Sequence, residues 1–120
     1  MAAAKNHVYL VAGSIPESAD GHIYSTAYTF DREGRQIGKY RKMHMFDIDV
    51  EGGQYYSESS VITAGDEVCV VETEFGPIGV AICYDVRFPE LFRLLAKRGA
   101  KAVVMPASFN RTTGPAHWEL

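Results

Sequence analysis

Of the two cysteines in the chain, Cys83 stands where a side chain can do chemistry. It closes the apolar run Gly79-Val80-Ala81-Ile82 and precedes Tyr84-Asp85-Val86-Arg87-Phe88-Pro89-Glu90. The run is short and rich in β-branched residues, so it reads as a buried strand. Pro89 suits the first position of a helix, and Glu90 places an acid in its first turn. A thiol at such a strand-to-helix edge is lifted out of the sheet towards a pocket. A sharp turn of the same kind exposes the serine of many hydrolases. Most free cysteines are instead small buried hydrophobes, so position alone leaves both readings open.

An attacking cysteine must become a thiolate, which takes a base or a nearby cation. Acyl transfer also takes donors for the developing oxyanion. Lys42 is one candidate cation, because it ends a strand and opens a long loop. Arg41 competes with it. The backbone N–H of Tyr84, next to the thiol, is a second candidate donor. Glu58 stands alone among serines, where it can position a lysine or accept a proton. Loop lysines and loop acids are more often simply solvated. Arg87, four residues past Cys83, reads either as a fork for a carboxylate or as a structural arginine paired to Asp85 or Glu90. His44 and His117 are more often structural than catalytic. Asp47, Asp49 and Glu51 form a loose oxygen cluster without the offsets of a calcium loop. The cysteines make no CxxC pair, and their spacing to the four histidines is poor for zinc. No metal or other cofactor is expected.

These side chains need a scaffold. His7 to Ser14 reads as a strand closed by Gly13 and Pro16, and Ala2 to Lys5 as the tail of a helix. Gly21 to Phe30 alternates across two faces and reads as a second strand. Asp31 to Gly34 is a turn, and Gln36 to Arg41 a return strand that completes a hairpin. Lys42 to Gly65 has no helical or strand period, and long irregular connections are often functional. Asp66 to Glu74 returns to strand and turns at Phe75-Gly76-Pro77 into the Cys83 strand. Phe88 to Arg98 is the clearest helix, with Phe88, Leu91, Phe92 and Leu95 as an apolar stripe and Gly99 as its stop. Ala102 to Met105 is a further strand ended by Pro106. Strand, helix, strand with tight connections predicts a parallel pair joined by a right-handed crossover. His117 to Leu120 reads as the start of another helix. The fold class is therefore α/β.

The chain has 120 residues, 47% of them hydrophobic, with net charge −3. A chain of this size can bury somewhat under ~70% of its extended surface, so a real core is within reach. The mild acidity and the lack of a Lys/Arg stripe argue against a nucleic-acid partner. No run approaches the ~20 apolar residues of a membrane helix. The opening Met1-Ala2-Ala3-Ala4-Lys5 has no apolar core of a secretory signal, so two reduced thiols and a cytoplasmic setting are expected.

Two stretches carry a family resemblance. Tyr40-Arg41-Lys42-Met43-His44-Met45-Phe46-Asp47 and Ile82-Cys83-Tyr84-Asp85-Val86-Arg87-Phe88-Pro89-Glu90 resemble, in order and spacing, the nitrilase superfamily of carbon–nitrogen hydrolases. Ser108 to Leu120 resembles its ω-amidase, Nit2-like branch. The likeness runs from about His7 to the end. It implies an α-β-β-α sandwich and a Glu-Lys-Cys triad acting on a small-molecule amide. Cys83 would be the nucleophile that forms a thioester. Lys42 would hold the oxyanion with the Tyr84 N–H. Glu58 would match the family's second glutamate. In the ω-amidase branch the substrate is a dicarboxylic acid monoamide such as α-ketoglutaramate, with Arg87 on its free carboxylate and Phe109 and Thr113 lining the pocket. Family members assemble through helices, so a homo-oligomer is expected.

One departure stands out. The family's general-base glutamate lies well upstream of the lysine, and neither Glu17 nor Glu33 sits in a matching motif. The chain also opens at a helix tail and stops at a helix start. Residues 1–120 thus read as part of a carbon–nitrogen hydrolase domain, with exposed apolar faces and little or no turnover alone. Loss of a general base commonly removes ~10²–10⁴ in rate. Two alternatives stand beside this reading. One is another branch of the superfamily: an aliphatic amidase, an N-carbamoyl hydrolase or a nitrilase. The other is a non-catalytic module that assembles with or regulates a full-length relative.

Overall fold

The structure, a computed structural model, describes residues 1–49, 51–52 and 55–118. A short helix, α1 (Ala2–Asn6), leads into a three-stranded antiparallel meander. Its strands are β1 (Leu10–Ala19), β2 (His22–Phe30) and β3 (Gln36–Arg41), in that order. The hairpin expected between β2 and β3 is present, with Thr26 opposite Arg41 and Tyr28 opposite Lys39. β1 corrects the expectation that Gly13 and Pro16 close it. The strand runs on to Ala19, with its register shifted between Ala12 and Ile15. β1 is an edge strand, where a proline costs the sheet no ladder hydrogen bond.

A second correction concerns the stretch expected to be irregular. It holds a two-stranded ribbon, β4 (Asp47–Asp49) and β5 (Tyr55–Ser57), followed by a 3-10 turn over Glu58–Ser60. β6 (Cys69–Val71) is shorter than expected and pairs antiparallel with β7 (Ile78–Val80). β7 runs parallel to β8 (Ala102–Val104), with α2 (Pro89–Lys97) between them in the chain. β7 stops at Val80, and Cys83–Arg87 forms a 3-10 turn before α2. The last described element is α3 (Gly114–Trp118).

The core lies where the two three-stranded sheets and α2 meet. It gathers Ala27 and Tyr40 from the meander, Cys69, Val71 and Val80 from the second sheet, Ala81 and Ile82 after β7, and Leu91 and Leu95 from α2. β3 approaches β6 so closely that a Cβ at Gly38 would lie 2.3 Å from Val71 Cγ1. Only glycine leaves room there. α2 has the expected caps: Pro89 at its start, Lys97 in its last turn, and Gly99 at φ 92° just beyond it. All three residues of β8 are exposed, so Val103 and Val104 show the uncovered apolar surface expected from the sequence.

The meander carries its own charge cluster. Glu17 accepts hydrogen bonds from Arg41 (Nε 3.0 Å, Nη2 2.8 Å) and Thr26 (Oγ1 2.6 Å), and pairs with Lys39. The Arg41 guanidinium, helped by Lys39 and Thr26, holds its carboxyl well below the usual carboxylate range. A depressed carboxyl stabilises the fold above its ordinary value of 4.5, and that contribution fades as the pH falls below it. Glu17→Gln should therefore cost about 2 kcal/mol at pH 7. The gap to wild type should narrow in acid. Urea unfolding at pH 7 and near pH 3 checks this, and an equal gap at both would contradict it.

Candidate active site

Lys42 leaves β3 with its backbone pinned on both sides. Its N–H donates to Ser25 O at 2.8 Å, and its carbonyl accepts from Gly65 N–H at 2.9 Å. Lys42 is buried, and Nζ donates to Glu58 Oε2 at 2.6 Å. The same oxygen accepts the Phe46 N–H at 2.7 Å. Glu58 is presented by the 3-10 turn after β5. Asp47 ties that turn to β4 by accepting the Ser59 N–H at 2.9 Å, which keeps its carboxyl below the ordinary value. The ribbon between Lys42 and Glu58 thus closes a loop whose two ends meet as an ion pair.

Cys83 opens the other 3-10 turn with φ 50°. Left-handed backbone is uncommon outside glycine and clusters at functional sites. The turn is fastened by Cys83 N–H to Pro106 O (3.0 Å) and Asp85 N–H to Ile82 O (3.1 Å), with the Tyr84 amide between them. Cys83, Lys42 and Glu58 line one cavity of about 860 Å³. Gly13, Ser14 and Ser25 from the meander share its wall, with Phe46, Ile48, Tyr55 and Tyr56 from the ribbon and Ser108 and Asn110 after β8. Among the described residues, Glu58 is the one carboxylate in that lining. The second thiol, Cys69, is buried in β6 away from this cavity, and burial pushes it up.

The remaining sequence candidates are placed elsewhere. Arg41 turns to Glu17 and covers the Tyr24 ring at 3.9 Å, which leaves Lys42 as the cation in the cavity lining among the described residues. Arg87, Phe109 and Thr113 lie outside the lining. Arg87 donates from Nε to His117 Nδ1 at 2.8 Å and from Nη2 to Ala116 O at 2.6 Å. Burial, with the Arg87 charge, lowers His117 and favours its neutral, accepting form. The Phe109 ring packs on His117 at 4.6 Å, and Thr113 Oγ1 donates to Asn110 Oδ1 at 2.9 Å. Sequence reasoning missed Ser14, Ser25, Ser108 and Asn110. For Ser14 the signal is the register shift in β1, which is visible only once β1 is paired.

The α/β architecture matches solved structures of the nitrilase superfamily. The structure of Nit3 from Saccharomyces cerevisiae, a member of branch 10, superimposes with TM-score 0.84 at 41% identity, over 98% of this chain and 41% of that one. The profile of the carbon-nitrogen hydrolase family matches residues 1–120, and the chain belongs to that family. It is 51% identical to nitrilase homolog 2 of Dictyostelium discoideum over 121 residues, 99% of this chain and 37% of that protein. It is 47% identical to omega-amidase NIT2 of Homo sapiens over 113 residues, 94% of this chain and 41% of that protein. The chain thus spans about two fifths of the length of these relatives. The Nit2-like resemblance seen in the motifs is the one these relatives show. No described helix is long and apolar enough to cross a membrane.

Proposed function

We propose that the chain carries the thiol side of an amide hydrolase and acts through a thioester. The observation that carries this is a cysteine in left-handed backbone facing the same cavity as a buried, ion-paired lysine. The Cys83 thiolate adds to the amide carbon, and the C=O electron pair moves onto oxygen. Lys42 Nζ and the Tyr84 N–H hold that oxyanion. Collapse re-forms the C=O, breaks the C–N bond and releases ammonia once nitrogen takes a proton. Water then cleaves the thioester to the acid and frees the thiol. Glu58 orients Lys42 and stays with it throughout. No other acid lines the cavity among the described residues, and Glu17 is held by Arg41 and Lys39. The family resemblance implies a glutamate upstream of the lysine as the thiol's proton acceptor, and residues 1–120 alone should show little or no turnover of an amide.

Dicarboxylic acid monoamides are the proposed substrates, supported by the ω-amidase relatives. Arg87 would take the second carboxylate after exchanging His117 for it, with Phe109 and Thr113 shaping that end. The serine and asparagine wall suits a polar acyl chain in any case. Assembly with further copies or with a full-length relative is proposed in keeping with the exposed β8 face.

The test is alkylation with iodoacetamide near neutral pH, read by peptide mass. Cys83 should label at least about tenfold faster than the buried Cys69, and Lys42→Ala should slow Cys83 alone. Equal, slow labelling of both thiols would overturn the reading. Clear turnover of a monoamide by residues 1–120 would overturn the assignment of the base.

A further inference from the structure

We infer that Asp85 is a positioning residue that fixes Lys42 and Cys83 in one register, an inference that rests on the thiol-hydrolase reading above. Its carboxylate is fully buried, with no exposed surface. Oδ2 accepts the Tyr40 O–H at 2.6 Å and the Ile82 N–H at 2.8 Å. Oδ1 accepts the His44 N–H at 3.2 Å and faces His44 Nδ1 at 2.7 Å. Tyr40 and His44 stand two residues either side of Lys42, and Ile82 stands directly before Cys83. One carboxylate thus grips the lysine segment on both flanks and the cysteine turn at its root. Asp85 also sits inside that turn.

The surroundings leave the carboxylate little freedom. An ionised carboxylate accepts at about four lone-pair positions, and here four groups point at it. Burial and the nearby Asp85 push the Tyr40 phenol well above its ordinary range, so it keeps the O–H that it donates to Asp85. His44 is held flat against Phe88, with ring centroids 3.6 Å apart and planes 8° apart, which fixes its Nδ1 on Asp85. An asparagine at position 85 has one accepting oxygen. In either orientation its NH₂ meets a backbone N–H, of Ile82 or of His44. The mismatch lands at the root of the thiol turn or beside Lys42.

The experiment measures iodoacetamide labelling of Cys83 against pH in wild type, Asp85→Asn, Tyr40→Phe and Lys42→Ala, and in each double variant with Lys42→Ala. Near-UV circular dichroism checks the fold. Tyr40→Phe keeps the ring in place and removes one donor, so it decides the matter if Asp85→Asn does not fold. Folded Asp85→Asn should label Cys83 at least about tenfold more slowly, and Tyr40→Phe about threefold, as expected for losing bonds to a charged acceptor. The pH midpoint of labelling should move, and each change should slow Lys42→Ala by less than it slows wild type, because part of its effect runs through the lysine. Wild-type rate and midpoint in the folded variants, or effects that simply add to Lys42→Ala, would overturn the inference. If Lys42→Ala itself labels like wild type, the thiol-hydrolase reading fails instead.

Discussion

Glu58→Ala should cost the fold about 3 kcal/mol, because it strands a buried ammonium. The Lys42 side chain is 4% exposed and that of Glu58 12%, so the pair is largely desolvated and cavity water replaces the lost carboxylate poorly. The same change frees the Phe46 N–H, which donates to Glu58 Oε2 at 2.7 Å, and loosens the β4–β5 ribbon over the cavity. The two halves of the pair should differ. Lys42→Met keeps the apolar stem, and the Glu58 left behind retains the Phe46 N–H and more solvent, so it should cost less than Glu58→Ala. The double variant Lys42→Met/Glu58→Leu should recover much of the loss, because an apolar pair replaces two desolvated charges. Reactivity should not recover with it. Cys83 should stay slow in the double variant, since no cation among the described residues then lines the cavity. Urea unfolding at pH 7 beside alkylation separates the two effects. A Glu58→Ala cost below about 0.5 kcal/mol would show a solvated pair, as at an exposed surface site.

The sequence reads well where a period repeats or a single residue type carries the chemistry. The strand pattern of Gly21–Phe30 and the stripe of Leu91 and Leu95 translate directly into β2 and α2, with α2 burying one face and β2 burying Thr26 and Ala27 on opposite faces. Cys83, Lys42 and Glu58 do converge on one cavity. The β4–β5 ribbon escapes because three-residue strands show no period. β1 overruns Pro16 because edge position, a property of the assembled sheet, decides whether a proline is tolerated. The 3-10 turn at Cys83–Arg87 is set by partners far along the chain, Pro106 on the Cys83 N–H and the Tyr40–His44 segment on Asp85. Short polar residues such as Ser14 and Asn110 carry no periodic signal, so the cavity wall could not be read before the strands were paired.

Leu95→Ala should be the other large loss, about 3 kcal/mol for a leucine removed from a closed core. Leu95 is fully buried on the α2 face that covers β7. A Cβ at Gly79 would fall 3.2 Å from its Cδ1, 3.3 Å from its Cδ2 and 3.3 Å from Val103 Cγ2. That closeness makes the site testable from both sides. Gly79→Ala alone should cost about 1 kcal/mol by overpacking. In the Leu95→Ala background the added methyl enters vacated space, so the double variant should be more stable than the two single losses predict, by at least about 0.5 kcal/mol. Simple additivity would mean that the cavity collapses or fills another way. The consequence for the site follows from β7, which pairs Val80 with Cys69 of β6 and leads into the Cys83 turn. A loosened α2 should lower the free energy of local opening across β6 and β7. Cys69 should then label faster while Cys83 slows. The contrast between the two thiols measures how tightly the helix holds the reactive one in place.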